Sequence, residues 1–148
     1  MTISTIHLSH YAKGYLAVGK NIGIKDQTLD LALIFSEVRA NAAAVFTQNH
    51  FVGAPVVVSR QHITDGYAQA LLINSKNANV ATGQRGLDIA RETTHLVAAE
   101  LEIGYRDVLP FSTGIIGQRL PIEKVRAGLR GIRQELKPEN LEQAALAI

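Results

Sequence analysis

Apolar residues in this chain come in short continuous runs, at residues 31–35, 42–46, 56–58, 70–73 and 108–109, with little strict alternation between apolar and polar positions. A strand buried on one face alternates, whereas a strand covered on both faces reads as an unbroken apolar run. These five segments therefore predict strands inside a layered fold. Two longer stretches follow a helical period instead. Between residues 84 and 102, Leu87, Ala90, Val97, Ala98 and Leu101 share one face, with Asp88, Arg91, Glu92 and His95 mostly elsewhere, which predicts an amphipathic helix. Pro121 opens a second pattern over residues 121–136, where Ile122, Val125, Leu129, Ile132 and Leu136 form one stripe. Gly128 and Gly131 weaken that helix by up to about 1 kcal/mol each relative to alanine. A third helix is expected from Pro138-Glu139 onward. No capping glycine, basic last turn or polar tail follows Leu146-Ala147-Ile148, the pattern expected of a fragment of a longer chain. The expected architecture is α/β, a mixed sheet packed with helices, in a single domain over residues 1–148.

Composition narrows the function classes. At 148 residues the chain is of one-domain size, and 47% hydrophobic against 19% charged residues separates it from disordered sequences. The lack of cysteine removes disulfide scaffolds, thiolate metal sites, iron–sulfur clusters and cysteine nucleophiles together. A formal charge of +2 does not by itself point to a polyanionic partner. No apolar run approaches the roughly 18 residues of a membrane span, and Met1 to His10 lacks the basic start and apolar core of a signal peptide. The expectation is a soluble, cytoplasmic protein with no membrane partner.

Candidate chemistry is sparse. Among His7, His10, His50, His62 and His95 only the first two are spaced like ligands, and a histidine pair three apart near a chain start is more often solvated than metal-bound, so no metal is expected. No serine sits in a nucleophile-elbow context. Arg126, Arg130 and Arg133 form a basic stripe beside the apolar stripe of the second helix. Such a stripe is open to an RNA-binding reading but reads better as a solvated face, since few aromatics are available for base stacking. Two loops of small polar residues remain. Residues 74–79, Asn-Ser-Lys-Asn-Ala-Asn, and residues 112–117, Ser-Thr-Gly-Ile-Ile-Gly, each follow a predicted strand and precede a predicted helix. Loops beyond strand ends expose backbone amides and suit anions. The same residue types also build tight turns and helix caps, and on composition alone that reading weighs more. The Gly114 to Gly117 spacing lacks the further glycine and lysine of a phosphate cradle, so no nucleotide cofactor is expected.

The order of segments adds a resemblance. Gly14-Tyr15-Leu16-Ala17, Gly23-Ile24-Lys25, Asp30-Leu31-Ala32-Leu33-Ile34, Ala44-Val45-Phe46-Thr47-Gln48-Asn49, Ala54-Pro55-Val56, Asn74-Ser75-Lys76-Asn77-Ala78-Asn79, Thr82-Gly83 and the stretch from Ser112 through Gly117-Gln118-Arg119-Leu120-Pro121 together resemble the N-terminal part of the ornithine acetyltransferase family. Its members are also called bifunctional glutamate N-acetyltransferases. The likeness runs from about Gly14 to Pro121 and more loosely to the end. It implies a self-cleaving threonine-nucleophile fold and transfer of an acetyl group from N-acetylornithine to glutamate in arginine biosynthesis. It also implies a precursor cut into α and β chains, with the nucleophile the first residue of β, and an α2β2 or larger assembly. In the family a Thr-Gly pair forms the oxyanion hole, and the matching residues here are Thr113 and Gly114. The nucleophilic threonine falls beyond residue 148, so the chain is expected to be a truncated α chain that needs a β chain. A related N-terminal-threonine acyltransferase or amidase is the alternative within the enzyme class, and a nonenzymatic partner- or RNA-binding module outside it. One residue departs from the family pattern: Lys76 stands where the family has glycine, at a position whose backbone is expected to need unusual angles.

Overall fold

The computed structural model describes residues 11–148, so His7, His10 and the segment read for a leader lie outside the described residues. Four strands form one sheet in the order β1 (Tyr15–Lys20), β2 (Leu31–Asn41), β3 (Tyr67–Asn74) and β4 (Val108–Ser112). The first two pairings are antiparallel and β3–β4 is parallel, so the sheet is mixed, as expected. A parallel pair needs a crossover, and helix α2 (Gly83–Leu101) supplies it. In the β1–β2 connection the fully buried Asp30 accepts the amides of Ile22 at 2.8 Å and Lys25 at 2.7 Å, which satisfies donors that the turn leaves without ladder partners.

Both faces of the sheet carry helices, which is why the strands read as unbroken apolar runs. On one face Val18, Leu31, Leu33, Ala70, Leu72 and Val108 pack beneath α2 and α3 (Ile122–Leu129), through Ile89, Val97, Leu101, Val125 and Leu129. On the other, Ala17 and Ala32 meet Ala144 and Ala147 of the C-terminal segment that holds α4 (Leu141–Leu146). Contact through small side chains lets the backbones approach closely: a Cβ on Gly19 would lie 2.2 Å from the Gln143 carbonyl oxygen.

Helix α1 (Ala54–His62) lies along the outer edge of β4. There Ser59 Oγ donates to the Pro110 carbonyl at 2.9 Å and the His62 ring Nδ1 donates to the Val108 carbonyl at 2.8 Å. Pro110 has no N–H to leave open on that edge. The edge strand is thus closed by side chains and by a proline rather than by another strand.

Four expectations are corrected. Residues 56–58 lie inside α1, not in a strand: Pro55, Val58, Ser59 and His62 are buried at helical spacing, and the period escapes notice because two of the four are polar. Residues 42–46 form no strand, since β3 begins at Tyr67 opposite Asn41 and the chain beyond has no strand to pair with. Strand β1 was absent from the expected set. The pattern over residues 121–136 is not one helix, because the left-handed Gly131 (φ 68°) ends α3 and starts a 3-10 turn at Ile132–Glu135. The stripe is buried all the same, as the bend keeps Val125, Leu129, Ile132 and Leu136 in the core.

Candidate functional site

Because β3 and β4 run parallel, their C-terminal ends lie at the same edge of the sheet and the two polar loops leave it side by side. Backbone bonds join them along their length: Thr113 N–H to the Asn74 carbonyl (3.0 Å), Ile115 N–H to Lys76 (3.0 Å), Ala78 N–H to Ile115 (3.1 Å) and Gly117 N–H to Val80 (2.9 Å). The asparagines of the first loop are buried and turned inward. Asn74 Nδ2 donates to the Asn77 carbonyl and Asn74 Oδ1 accepts from Ser112 Oγ, while Asn77 Nδ2 donates to the Gln118 carbonyl. Asn79 Nδ2 donates to the Gly86 carbonyl and Asn79 Oδ1 accepts from Thr82 Oγ1, which ties the loop to the start of α2. For these residues the structure bears out the turn-building reading: they brace a frame, with their polar atoms engaged by the protein itself.

The second loop is what that frame holds. Thr113 and Gly114 are exposed, and among the described residues neither the Thr113 hydroxyl nor the Gly114 amide has a hydrogen-bond partner. Gly114 has φ +131°, and a Cβ there would lie 2.2 Å from the Lys76 carbonyl carbon. Only glycine permits this approach of the two backbones. An apolar groove of about 310 Å³ opens beside Ser112, walled by Val45, Phe46, Val56, Val80 and Phe111. Residues 44–46 of this wall belong to the run 42–46, which reads as a strand in the sequence. Their place on this groove was not legible, since pairing partners and not apolar content decide what such a run becomes.

Lys76 adopts φ +71°, so the position does require the left-handed backbone that family glycine would supply. Its side chain is displaced outward, toward Asp26 at 3.7 Å, an exposed pair of little energetic weight. Replacing Lys76 by glycine is expected to raise stability by about 0.5–1 kcal/mol, because relief of left-handed strain outweighs the added freedom of the unfolded chain. A urea midpoint that falls instead would show that Lys76 carries no strain.

The remaining candidates separate. Arg126 is held by Glu92 and Glu123 at 2.5 Å and Arg133 by Glu102 at 2.5 Å, so two of the three cations in the basic stripe are already paired. Among the described residues, no group of three or more histidines or carboxylates is arranged to hold a metal, and no helix is long and apolar enough to cross a membrane.

Against solved structures, the chain superposes at a TM-score of 0.86 on ornithine acetyltransferase complexed with ornithine from Mycobacterium tuberculosis, at 39% identity, covering 92% of this chain and 75% of that one. It superposes at 0.82 on arginine biosynthesis bifunctional protein argJ from Bacillus halodurans, at 40% identity, covering 92% and 70%. The mixed sheet with its layered helices is therefore the α/β architecture of the ornithine acetyltransferase class. Among curated sequences, the chain is 43% identical over 136 residues to arginine biosynthesis bifunctional protein ArgJ 2 of Clostridium acetobutylicum, and 46% identical over 136 residues to ArgJ of Caldanaerobacter subterraneus subsp. tengcongensis. In both cases that is 92% of this chain, against 35% and 34% of the relatives, so the chain spans about a third of their length. The ArgJ family model matches residues 16–148, and the chain belongs to the ArgJ family.

Proposed function

We propose that this chain serves an acetyltransferase of arginine biosynthesis that moves an acetyl group from N-acetylornithine to glutamate. In this reading it is the N-terminal part of the α chain, and it lends Thr113 and Gly114 to a site whose nucleophilic threonine is on a β chain. The observation that carries the reading is the pair of donors at the tip of a braced loop, the Thr113 hydroxyl and the Gly114 amide, with no partner among the described residues. Membership of the ArgJ family supports the acetyl-transfer chemistry, as does a relative solved as ornithine acetyltransferase with ornithine bound.

The chemistry needs no cofactor. The threonine hydroxyl attacks the acetyl carbonyl, a tetrahedral oxyanion forms, and its collapse breaks the C–N bond, so that ornithine leaves as the amine with the proton the hydroxyl gave up and an acetyl ester stays on threonine. The glutamate amine then attacks that ester and restores the hydroxyl. Each step places negative charge on the same oxygen, where donors fixed before the reaction are most effective. The exposed Phe111, Ile115 and Ile116 around the loop offer apolar surface for the β chain of the proposed assembly.

The pure 148-residue chain incubated with N-acetylornithine and glutamate is expected to form no ornithine above background. Co-expression with the C-terminal remainder of a family member is expected to restore turnover. Turnover by the pure chain would overturn the split-site reading.

A further inference from the structure

At the opposite end of β4 from Thr113, a cavity of about 210 Å³ lies between α1, α2 and the 3-10 turn Tyr105–Asp107. Gln61 and His62 line it from α1, Arg91 and His95 from α2, and Tyr105 and Arg106 from the turn. The Tyr105 ring stacks on His95 with centroids 4.3 Å apart and meets His62 edge-on at 5.6 Å, so the three rings fix one another. His62 is 6% exposed. Its Nδ1 carries the proton given to the Val108 carbonyl, which leaves Nε2 without a partner among the described residues. Nε2 is not among the buried atoms, and His62 is part of the cavity wall.

The walls are positive and poorly neutralised. Among the described residues Arg91 has only a loose approach to Asp88, at 3.9 Å, and Arg106 only the Tyr105 hydroxyl, at 3.4 Å. The nearby carboxylates Asp65 and Asp107 are both engaged by Arg39. Two arginines and two histidines line the same cavity, one histidine nine-tenths buried with a ring nitrogen free among the described residues. That donor set matches a compact dianion: paired guanidiniums fork onto its oxygens, and its charge balances theirs.

We propose that this cavity binds a phosphate group, either free phosphate or one carried on a small molecule. The groups facing His62 are Arg91 and His95 from α2, Tyr105 and Arg106 from the turn, and the Val108 carbonyl from β4. Burial, helped by the neighbouring Arg106, His95 and Arg91, outweighs the upward pull of the Val108 carbonyl and holds its imidazole below the usual histidine range. A dianion in the cavity offsets those cations and favours the imidazolium, so binding moves the His62 pKa upward.

The test is a titration of the 148-residue chain with sodium phosphate, ionic strength held constant with sodium chloride, following histidine ring signals by NMR. Saturable shifts of His62 and His95, a rise in the His62 pKa and no response from the exposed His50 are expected. R91Q/R106Q, at two surface positions, is expected to weaken phosphate binding by about tenfold or more while leaving the backbone spectrum intact. R106Q alone gives the intermediate effect and serves if the double variant fails to fold. A parallel titration with glycerol phosphate separates the sources: tighter binding than phosphate assigns a phosphorylated molecule, equal or weaker binding assigns free phosphate. Linear shifts, the same response to chloride alone, or undiminished affinity in R106Q would overturn the proposal.

Discussion

Thr113→Ala in the two-chain enzyme proposed above is expected to lower kcat by about 10²- to 10³-fold while KM changes little, the usual result of removing one oxyanion donor, the role proposed for it. The effect is large because the frame that holds Thr113 is rigid. Its amide is tied to the Asn74 carbonyl, and Asn74 is buttressed in turn by Ser112 Oγ and the Asn77 carbonyl. Water entering after the substitution cannot reproduce a donor held at a set position. Among the described residues the hydroxyl has no hydrogen-bond partner, so its removal leaves no buried partner there unsatisfied and stability is expected to stay within about 0.5 kcal/mol. A loss of kcat without a loss of stability is the signature to look for. In the proposed self-processing, cleavage also passes through a tetrahedral intermediate, so turnover has to be measured per cleaved molecule. Unchanged kcat in fully processed Thr113→Ala would assign the loop a purely structural role.

Gly114→Ala is expected to act on both properties at once, with a stability loss of about 2–4 kcal/mol and little residual activity. The added Cβ would lie 2.2 Å from the Lys76 carbonyl carbon, 2.4 Å from its oxygen and 2.6 Å from the Asn77 nitrogen. All three are backbone atoms with no rotamer to change, and φ +131° is closed to an L side chain. Relief requires the loops to part, which breaks Ile115 N–H to Lys76 and Ala78 N–H to Ile115, at about 1 kcal/mol each. Urea unfolding of the 148-residue chain measures the first effect, and the assembled enzyme measures the second. A variant with an unmoved midpoint would mean that the two loops are not locked together as described.

The helix over residues 83–101 was legible from the chain to within a residue at either end. Its burial period runs across nineteen residues, and local spacing turns Ala90, Val97, Ala98 and Leu101 inward as expected, while Ile89 is buried outside the expected stripe and Leu87 is only half-buried. The strands at 31–35, 70–73 and 108–109 were legible for a related reason, since a run covered on both faces leaves no polar position to confuse it. Thr113 and Gly114 were reachable only through their resemblance to a family motif. Their residue types suit a plain turn equally well, and nothing local says that Asn74, Asn77 and Asn79 brace from behind while Thr113 is left free. Residues 42–46 and 56–58 carry the same apolar signal as the true strands, yet one lines a groove and the other lies in a helix along the edge of β4. The cavity walled by His62, Arg91, His95 and Arg106 joins residues up to 44 positions apart that share no motif. Hydrophobic period is a property of neighbours along the chain, so the sequence by itself determined the layers and the long helix. Strand partners, close backbone approaches and converging side chains join distant residues, and only the tertiary structure decided them.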